Sequence, residues 1–388
     1  MPAPKASHFH KLLARAPLKS IAIAGLRPDL ADPIEYRKSG LSLNHVIGCP
    51  LECAYCVRHL FDNYDMKQPR KLMEDSEAVE RLINHRWFTP HVTPIQIFNR
   101  ATDPLLPNVK PHLYRCLADL DARGLTNHVI VISRWRFTAA DAEAFNSFTN
   151  IKVTLFFTWS GIEDTRLEPV SSAIAERSLA MAHAHARQYR TVFYWRPIIA
   201  GVNDTDAHLQ EAKRISQLSH ATVFSGLFYR GEIRDYLRSL GLDDAYPEIA
   251  RRKVFPQVLE ARIIEAMDGR PLFRKTSCGA AFAHAIPDFN GHYGIREICD
   301  ICPVAQIAIC AEAHRRPSQE EAHALGSAVG LDPSTVIVTE SHILVRNSTE
   351  QQRYAMQHRL NFQVHDEVHP HHSRRHGRAD VGWSAANA

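Results

Sequence analysis

The chain predicts an α/β protein built on a parallel sheet, and three observations carry that expectation. Six short apolar runs, residues 43–47, 95–98, 128–133, 151–158, 191–197 and 221–229, have the length and the β-branched or aromatic content of strands. Amphipathic stretches of helix length, 75–84, 109–122, 139–148, 172–187 and 207–218, lie between them. Strands separated by such segments are β-α-β units, and those units build parallel sheets. The third observation is size: 388 residues, 45% apolar and 23% charged, allow one large barrel-type domain with appendages. The alternation alone permits a full barrel, a partial barrel or a doubly wound sheet.

Taken in order, residues 1–40 are a lead-in of mixed character and 41–230 hold the alternating units. After Tyr229 the pattern changes. Residues 231–268 read as mostly helical, and a short strand from Arg270 runs into Cys278. Residues 279–298 are punctuated by Gly, Asn and Pro, so 231–316 forms a helical and cysteine-rich region. Residues 317–365 form a small α/β appendage. Ser318 caps a helix through Gly326, with Glu321 completing a capping box. Residues 336–339 and 342–345 flank Glu340-Ser341 as a hairpin, and 349–359 is a further helix. The tail, 366–388, is rich in His and Arg and poor in apolar residues, which predicts disorder. Its histidines, with His365, lack the rigid frame a metal site needs. There are no internal repeats.

Charge excludes little. A net charge of +4 and a pI near 8.6 are too mild to argue for nucleic acid. Arg134-Trp135-Arg136 and Arg251-Arg252-Lys253 are the local basic hints, and charged solvent faces explain them equally well. No apolar stretch is long enough to span a bilayer, so no membrane partner is expected. The first residues, Met1-Pro-Ala-Pro-Lys, show no secretory h-region, which makes the expected location cytoplasmic. Eight cysteines in that setting point to metal or redox chemistry, not disulfides. Cys116, on an amphipathic stretch with Leu113, Leu117 and Leu120, reads as a buried apolar residue. The other seven fall into two groups.

The first group is Cys49-Pro-Leu-Glu-Cys53-Ala-Tyr55-Cys56, directly after the first apolar run. Three thiolates can ligate three irons of a [4Fe–4S] cluster and leave the fourth open. A zinc knuckle is the alternative, and it needs a fourth ligand, His45 or His59. The spacing, with Tyr55 before the last cysteine, resembles the signature loop of the radical S-adenosylmethionine (SAM) superfamily. That resemblance implies a partial (β/α)6 barrel with a C-terminal cysteine-rich extension and a small α/β appendage. It implies that the open iron binds SAM, that an electron cleaves it to a 5′-deoxyadenosyl radical, and that the radical takes hydrogen from a substrate. An electron donor such as flavodoxin or ferredoxin is implied as partner. The substrate is not indicated.

The resemblance continues over roughly residues 40–230. Where many members carry Gly-Gly-Glu, this chain has Thr102-Asp103-Pro104, similar to the spore photoproduct lyase-like branch. Asp103 is then a partner for the SAM ammonium or ribose, or else a helix N-cap; Asn99 is a further candidate. Ser133 and Arg134 end the next strand, where the family places a ribose or carboxylate contact. Glu168-Pro169 followed by Arg177 also resembles that branch and makes Arg177 the preferred carboxylate partner. Trp195-Arg196-Pro197 through Gly201-Val-Asn203-Asp204 is similar to the family's fifth-strand ending, which packs beside adenine.

Cys278, Cys299, Cys302 and Cys310 form the second group, spaced x20, x2 and x7. Four thiolates fully ligate an auxiliary [4Fe–4S] cluster, or a structural zinc. The spacing differs from the seven-cysteine pattern of the best-known auxiliary extension, and spore photoproduct lyase has no such set. Three readings follow: a radical SAM enzyme, a nucleic-acid repair or modification enzyme of spore photoproduct lyase type, and a non-enzymatic zinc-stabilised binding module.

Overall fold

The structure is a computed structural model that describes residues 18–249, 253–254 and 256–368. The histidine-rich tail from 369 onward, the N-terminal 17 residues and Arg251-Arg252 lie outside the described residues.

β1 (Ile34–Arg37) and β2 (Gly40–Leu43) form an antiparallel hairpin. β3 (Val46–Ile47) pairs with β4 (Arg70–Lys71) in a small ladder of its own. The main sheet then continues through β5 (Ile95–Ile97), β6 (His128–Ser133), β7 (Lys152–Trp159), β8 (Arg190–Ile198) and β9 (Ala221–Phe228). β2 and β5 to β9 are parallel and lie side by side in chain order. Crossovers are right-handed, so consecutive strands in this order throw every connecting helix onto one face. A sheet covered that way curls. β9 does not pair with β2, so the curl stays open, as a partial barrel. β10 (Lys253–Val254) and β11 (Leu272–Phe273) share the outer edge of β9, antiparallel and parallel to it.

Period-2 alternation separates the two faces. Leu155, Phe157, Phe193 and Trp195 point into the large core under the connecting helices. Ile130, Phe156, Val192 and Val223 point the other way, into a second core with Cys278, Ala280 and Ala283. The helix Thr276–Ala283 therefore fills the concave side of the sheet and packs on β8 and β9. Gly279 makes this possible, because a Cβ there would meet Val223 Cγ2 at 2.4 Å.

In the appendage, β12 (Ile337–Val338), β13 (Ile343–Val345) and β14 (Val364–Asp366) form a three-stranded sheet. Ser318 and Glu321 make the expected capping box, on a helix Gln319–Ala328. A second helix, Glu350–Leu360, lies on β1. There His358 stacks on Tyr36 at 5.5 Å and its Nδ1 lies 3.1 Å from the Tyr36 hydroxyl.

Two expectations are corrected. The first barrel strand is Gly40–Leu43, not 43–47: Asn44 turns the chain by bonding Ser42 Oγ at 2.6 Å, and His45 is drawn outward to Asp75. Cys278 is helical and does not end a strand, because only Leu272–Phe273 pairs before the helix begins at Thr276.

Candidate active site

The cysteine loop is built by backbone constraints. Gly48 has φ +91, and a Cβ there would meet Gln68 O at 2.5 Å, so only glycine lets the chain turn here. Cys49 N–H donates to Met66 O at 2.8 Å and Ala54 N–H to Leu167 O at 3.0 Å. The buried Arg58 guanidinium donates to the carbonyls of Leu51, Asn63, Tyr64 and Met66 at 3.0–3.3 Å, acting as a template for the loop. Cys49, Cys53 and Cys56 all face one cavity of about 730 Å³. Its walls include the residues at and beyond the C-terminal ends of β2 and β5 to β9, where parallel barrels carry their chemistry.

Neither histidine that a zinc knuckle would need turns toward this cavity. His45 Nε2 lies 2.7 Å from Asp75, and His59 Nε2 bonds Ala54 O at 3.1 Å while its ring stacks on Tyr64. Burial raises the Cys49 and Cys53 thiols above their ordinary range. They become soft anionic ligands only when a cation displaces the protons. Two buried thiols and the half-buried Cys56, with neither histidine turned toward them, fit a cluster with one open iron better than a cysteine–histidine zinc knuckle.

Most of the expected SAM-site residues gather around the same cavity. Asn99, Thr102, Asp103, Ser133, Arg134, Tyr55 and Arg196 all line it. Asn99 follows Phe98, whose φ of +57 is rare for a bulky residue and turns the chain at the end of β5. Its side chain bonds Ser42 and Gln96. Asp103 ties two strand ends together: Oδ1 accepts from Ser133 Oγ at 2.6 Å and Leu105 N at 2.9 Å, and Oδ2 from Arg134 N at 2.9 Å. No helix starts there, so the N-cap alternative fails in its simple form; the side chain makes a local turn and a cross-strand brace. Beside it, the Thr102 hydroxyl is buried without a partner.

Tyr55, Arg134 and Glu168 form one polar knot. The Arg134 guanidinium pairs with the Glu168 carboxylate and donates to the Tyr55 oxygen at 2.6 Å, and Tyr55 donates to Glu168. Cys53 Sγ lies 3.5 Å from Glu168 Oε1. Two expected residues stand elsewhere. Arg177 is exposed on the helix Ser172–His185, and it does not line the cavity. Asn203 is buried and committed to the backbone, bonding Ile199 N, Ser160 O and Pro197 O at 2.6–2.9 Å; it braces the loop after β8.

The second cysteine group converges as well. Cys278, Cys299, Cys302 and Cys310 line one small pocket inside the concave face of the sheet. Asp288, His292 and Gln306 join them, which spacing alone did not reveal because the intervening segment carries no ligand pattern. Cys278 Sγ lies 3.7 Å from Asp288 Oδ1 and 3.8 Å from His292 Nδ1, and Cys310 Sγ accepts from Asp288 N at 3.3 Å. His292 also lines the large cavity, so this residue borders both sites. Cys116 is buried as expected but sits in a polar cluster, 3.9 Å from His45 Nε2, where Asp75 also holds His112 at 2.7 Å and Arg115.

No family model matches the chain, and no curated protein does. Among solved structures it is similar to a spore photoproduct lyase complexed with dinucleoside spore photoproduct: 13% identity over 67% of this chain and 86% of that one, TM-score 0.47. A spore photoproduct lyase variant with bound AdoMet and dinucleoside spore photoproduct gives 12%, 64%, 79% and 0.46. Streptococcus suis SuiB bound to S-adenosylmethionine gives 10%, 64%, 53% and 0.38. No described helix is long and apolar enough to cross a membrane.

Proposed function

We propose that this protein is a radical SAM enzyme. The carrying observation is that Cys49, Cys53 and Cys56 open together into a large cavity at the strand ends of a parallel partial barrel, with neither His45 nor His59 in its lining. These three thiols would hold a [4Fe–4S] cluster. Cluster and SAM, when bound, supply reductive cleavage to a 5′-deoxyadenosyl radical that takes hydrogen from a substrate. The chain's own work is holding and orienting. Arg134 offers a guanidinium to the SAM carboxylate once it exchanges its bond to Tyr55 or Glu168. Thr102 offers a buried hydroxyl with no competing partner. Asp103 keeps β6 and the segment after β5 in register, so these groups stay converged. The curled sheet and the C-terminal extension form the walls of the cavity and confine whatever binds there.

For the second site the reading is an auxiliary [4Fe–4S] cluster held by Cys278, Cys299, Cys302 and Cys310. A structural zinc is the competing reading, and a specific observation favours it: ligand atoms of Cys278, Asp288 and His292 lie within 4.8 Å of one another. Iron, sulfide and zinc analysis of a variant lacking the first-loop cysteines decides between them. The implied electron donor is a flavodoxin or ferredoxin, and the implied setting is cytoplasmic.

The test is anaerobic reconstitution, reduction with dithionite and assay for 5′-deoxyadenosine from SAM, with Cys53→Ala alongside. Product from the wild type and none from the variant is expected. Zinc without iron or acid-labile sulfide at the first loop would overturn the reading, as would a cluster whose EPR spectrum ignores SAM.

A further inference from the structure

The cavity that receives SAM is strongly basic. Nine lysines and arginines line it against three acidic residues. Most of these cations are already engaged. Arg58 is spent on loop carbonyls, Arg134 on Glu168, and Arg274 on Glu260 at 2.7 Å and on Asp300. Arg37 and Arg100 share one carboxylate, Glu35, each at 3.3 Å. Two cations stand out. Arg196 lies over the Tyr194 ring at 4.4 Å and bonds only its hydroxyl, at 3.4 Å; Arg230 is 6.0 Å from the Phe228 ring. Among the described residues neither has a carboxylate partner.

Their position separates them from the expected SAM contacts. The cysteine loop, Asn99, Asp103 and Arg134 follow the first three parallel strands, β2, β5 and β6. Arg196 is on the fifth and Arg230 just beyond the sixth. The register sets Arg196 between the Trp195–Phe224 and Ile198–Gly226 pairs, with Arg230 two residues past the end of β9. Ser225, Gly226 and Leu227 line the wall near both. Two guanidiniums facing a partly desolvated cavity without a carboxylate partner leave donors unmet. An oxyanion answers both, because the guanidinium fork fits carboxylate and phosphate geometry.

We propose that Arg196 and Arg230 form an oxyanion subsite for the substrate of this cavity, so that the substrate carries a phosphate or a carboxylate at the end held by β8 and β9. The word substrate rests on the radical SAM reading; the anion site does not. Arg196 is thereby moved from cofactor packing to substrate binding.

The test is calorimetric titration of anaerobically reconstituted, SAM-saturated protein with inorganic phosphate and, separately, with succinate. At least one anion should bind, more weakly as salt rises. Its dissociation constant should rise at least about tenfold in Arg196→Gln and in Arg230→Gln, because each substitution removes a charge-assisted hydrogen bond. Which anion binds identifies the group. Should the glutamine variants fold poorly, the Arg196→Lys/Arg230→Lys pair keeps both charges and should retain intermediate affinity. No binding of either anion to the wild type, or unchanged affinity in folded variants, overturns the proposal. The SAM-induced change in the cluster EPR spectrum, read on the same samples, keeps the two readings apart. If it is present without anion binding, the subsite falls alone. If it is absent while arginine-dependent binding persists, the radical SAM reading falls and the anion site stands.

Discussion

Gly48 shows how closely single residues specify the first site. Its φ of +91 and the 2.5 Å approach of Gln68 O leave no room for a side chain just before Cys49. Gly48→Ala should cost about 1–3 kcal/mol and lower the iron and sulfide bound after reconstitution, both read against wild type by thermal melting and metal analysis. A fully loaded variant of unchanged stability would show that the loop does not need this turn. Arg134→Lys is a complementary case. It keeps the charge beside Glu168 but loses the planar fork, so cluster content should stay constant while the SAM dissociation constant rises about tenfold, measured by titrating SAM against the EPR signal. The grouping of the seven cysteines was legible in the chain because thiol spacing is short-range information, and the structure draws each group to one pocket. Arg177 was not, because whether a helical residue faces sheet or solvent depends on packing. Asp288 and His292 were missed for a related reason: chain folding brings them to Cys278, and no spacing motif announces it.

Among elements, five of the six runs read from alternation match parallel strands of the sheet to within a few residues, while the first strand, Gly40–Leu43, lies ahead of the run assigned to it. The helix Thr276–Ala283 escaped. An amphipathic stripe marks a helix with one wet face. This one is buried nearly all round, with Ser277, Cys278, Gly279, Ala280, Ala281 and Ala283 inside, so it has no polar face to betray it. Its small side chains are what allow it to enter the concave side of the sheet and carry Cys278 there. Gly279→Ala places a methyl 2.4 Å from Val223 Cγ2. The helix must shift from β9, at about 1–3 kcal/mol. The expected signature is selective: metal at the second cysteine site is lost while the first loop, on the opposite strands, still loads. Equal retention at both sites would mean that the helix tolerates displacement without moving its cysteine.

Across the whole molecule, the appendage belongs to the site, since Glu350 and Tyr354 from the helix Glu350–Leu360 line the large cavity. What fastens that helix is sensitive to acid. His358, at the seam with Tyr36, is held down to about 3 by burial, with His292 adding to the effect and Asp288 opposing it. His365 in the appendage sheet is likewise held down to about 3, by burial and the neighbouring His342. A histidine whose pKa is lower when folded than its ordinary 6.5 binds its proton preferentially when unfolded. Its contribution is therefore complete above pH 6.5 and fades as pH falls toward 3. At pH 5 each such group removes about 2 kcal/mol. Burial acts likewise in and against the barrel, holding His128 at the start of β6 down to about 3 and His220 and His284 down to about 4, so acid loosens both regions. Hydrogen exchange in the helix Glu350–Leu360 should accordingly quicken between pH 7 and pH 5, and His358→Asn should reduce that pH dependence there. Exchange in that helix that stays constant with pH, or that quickens equally in His358→Asn, would mean that His358 does not fasten this wall of the cavity.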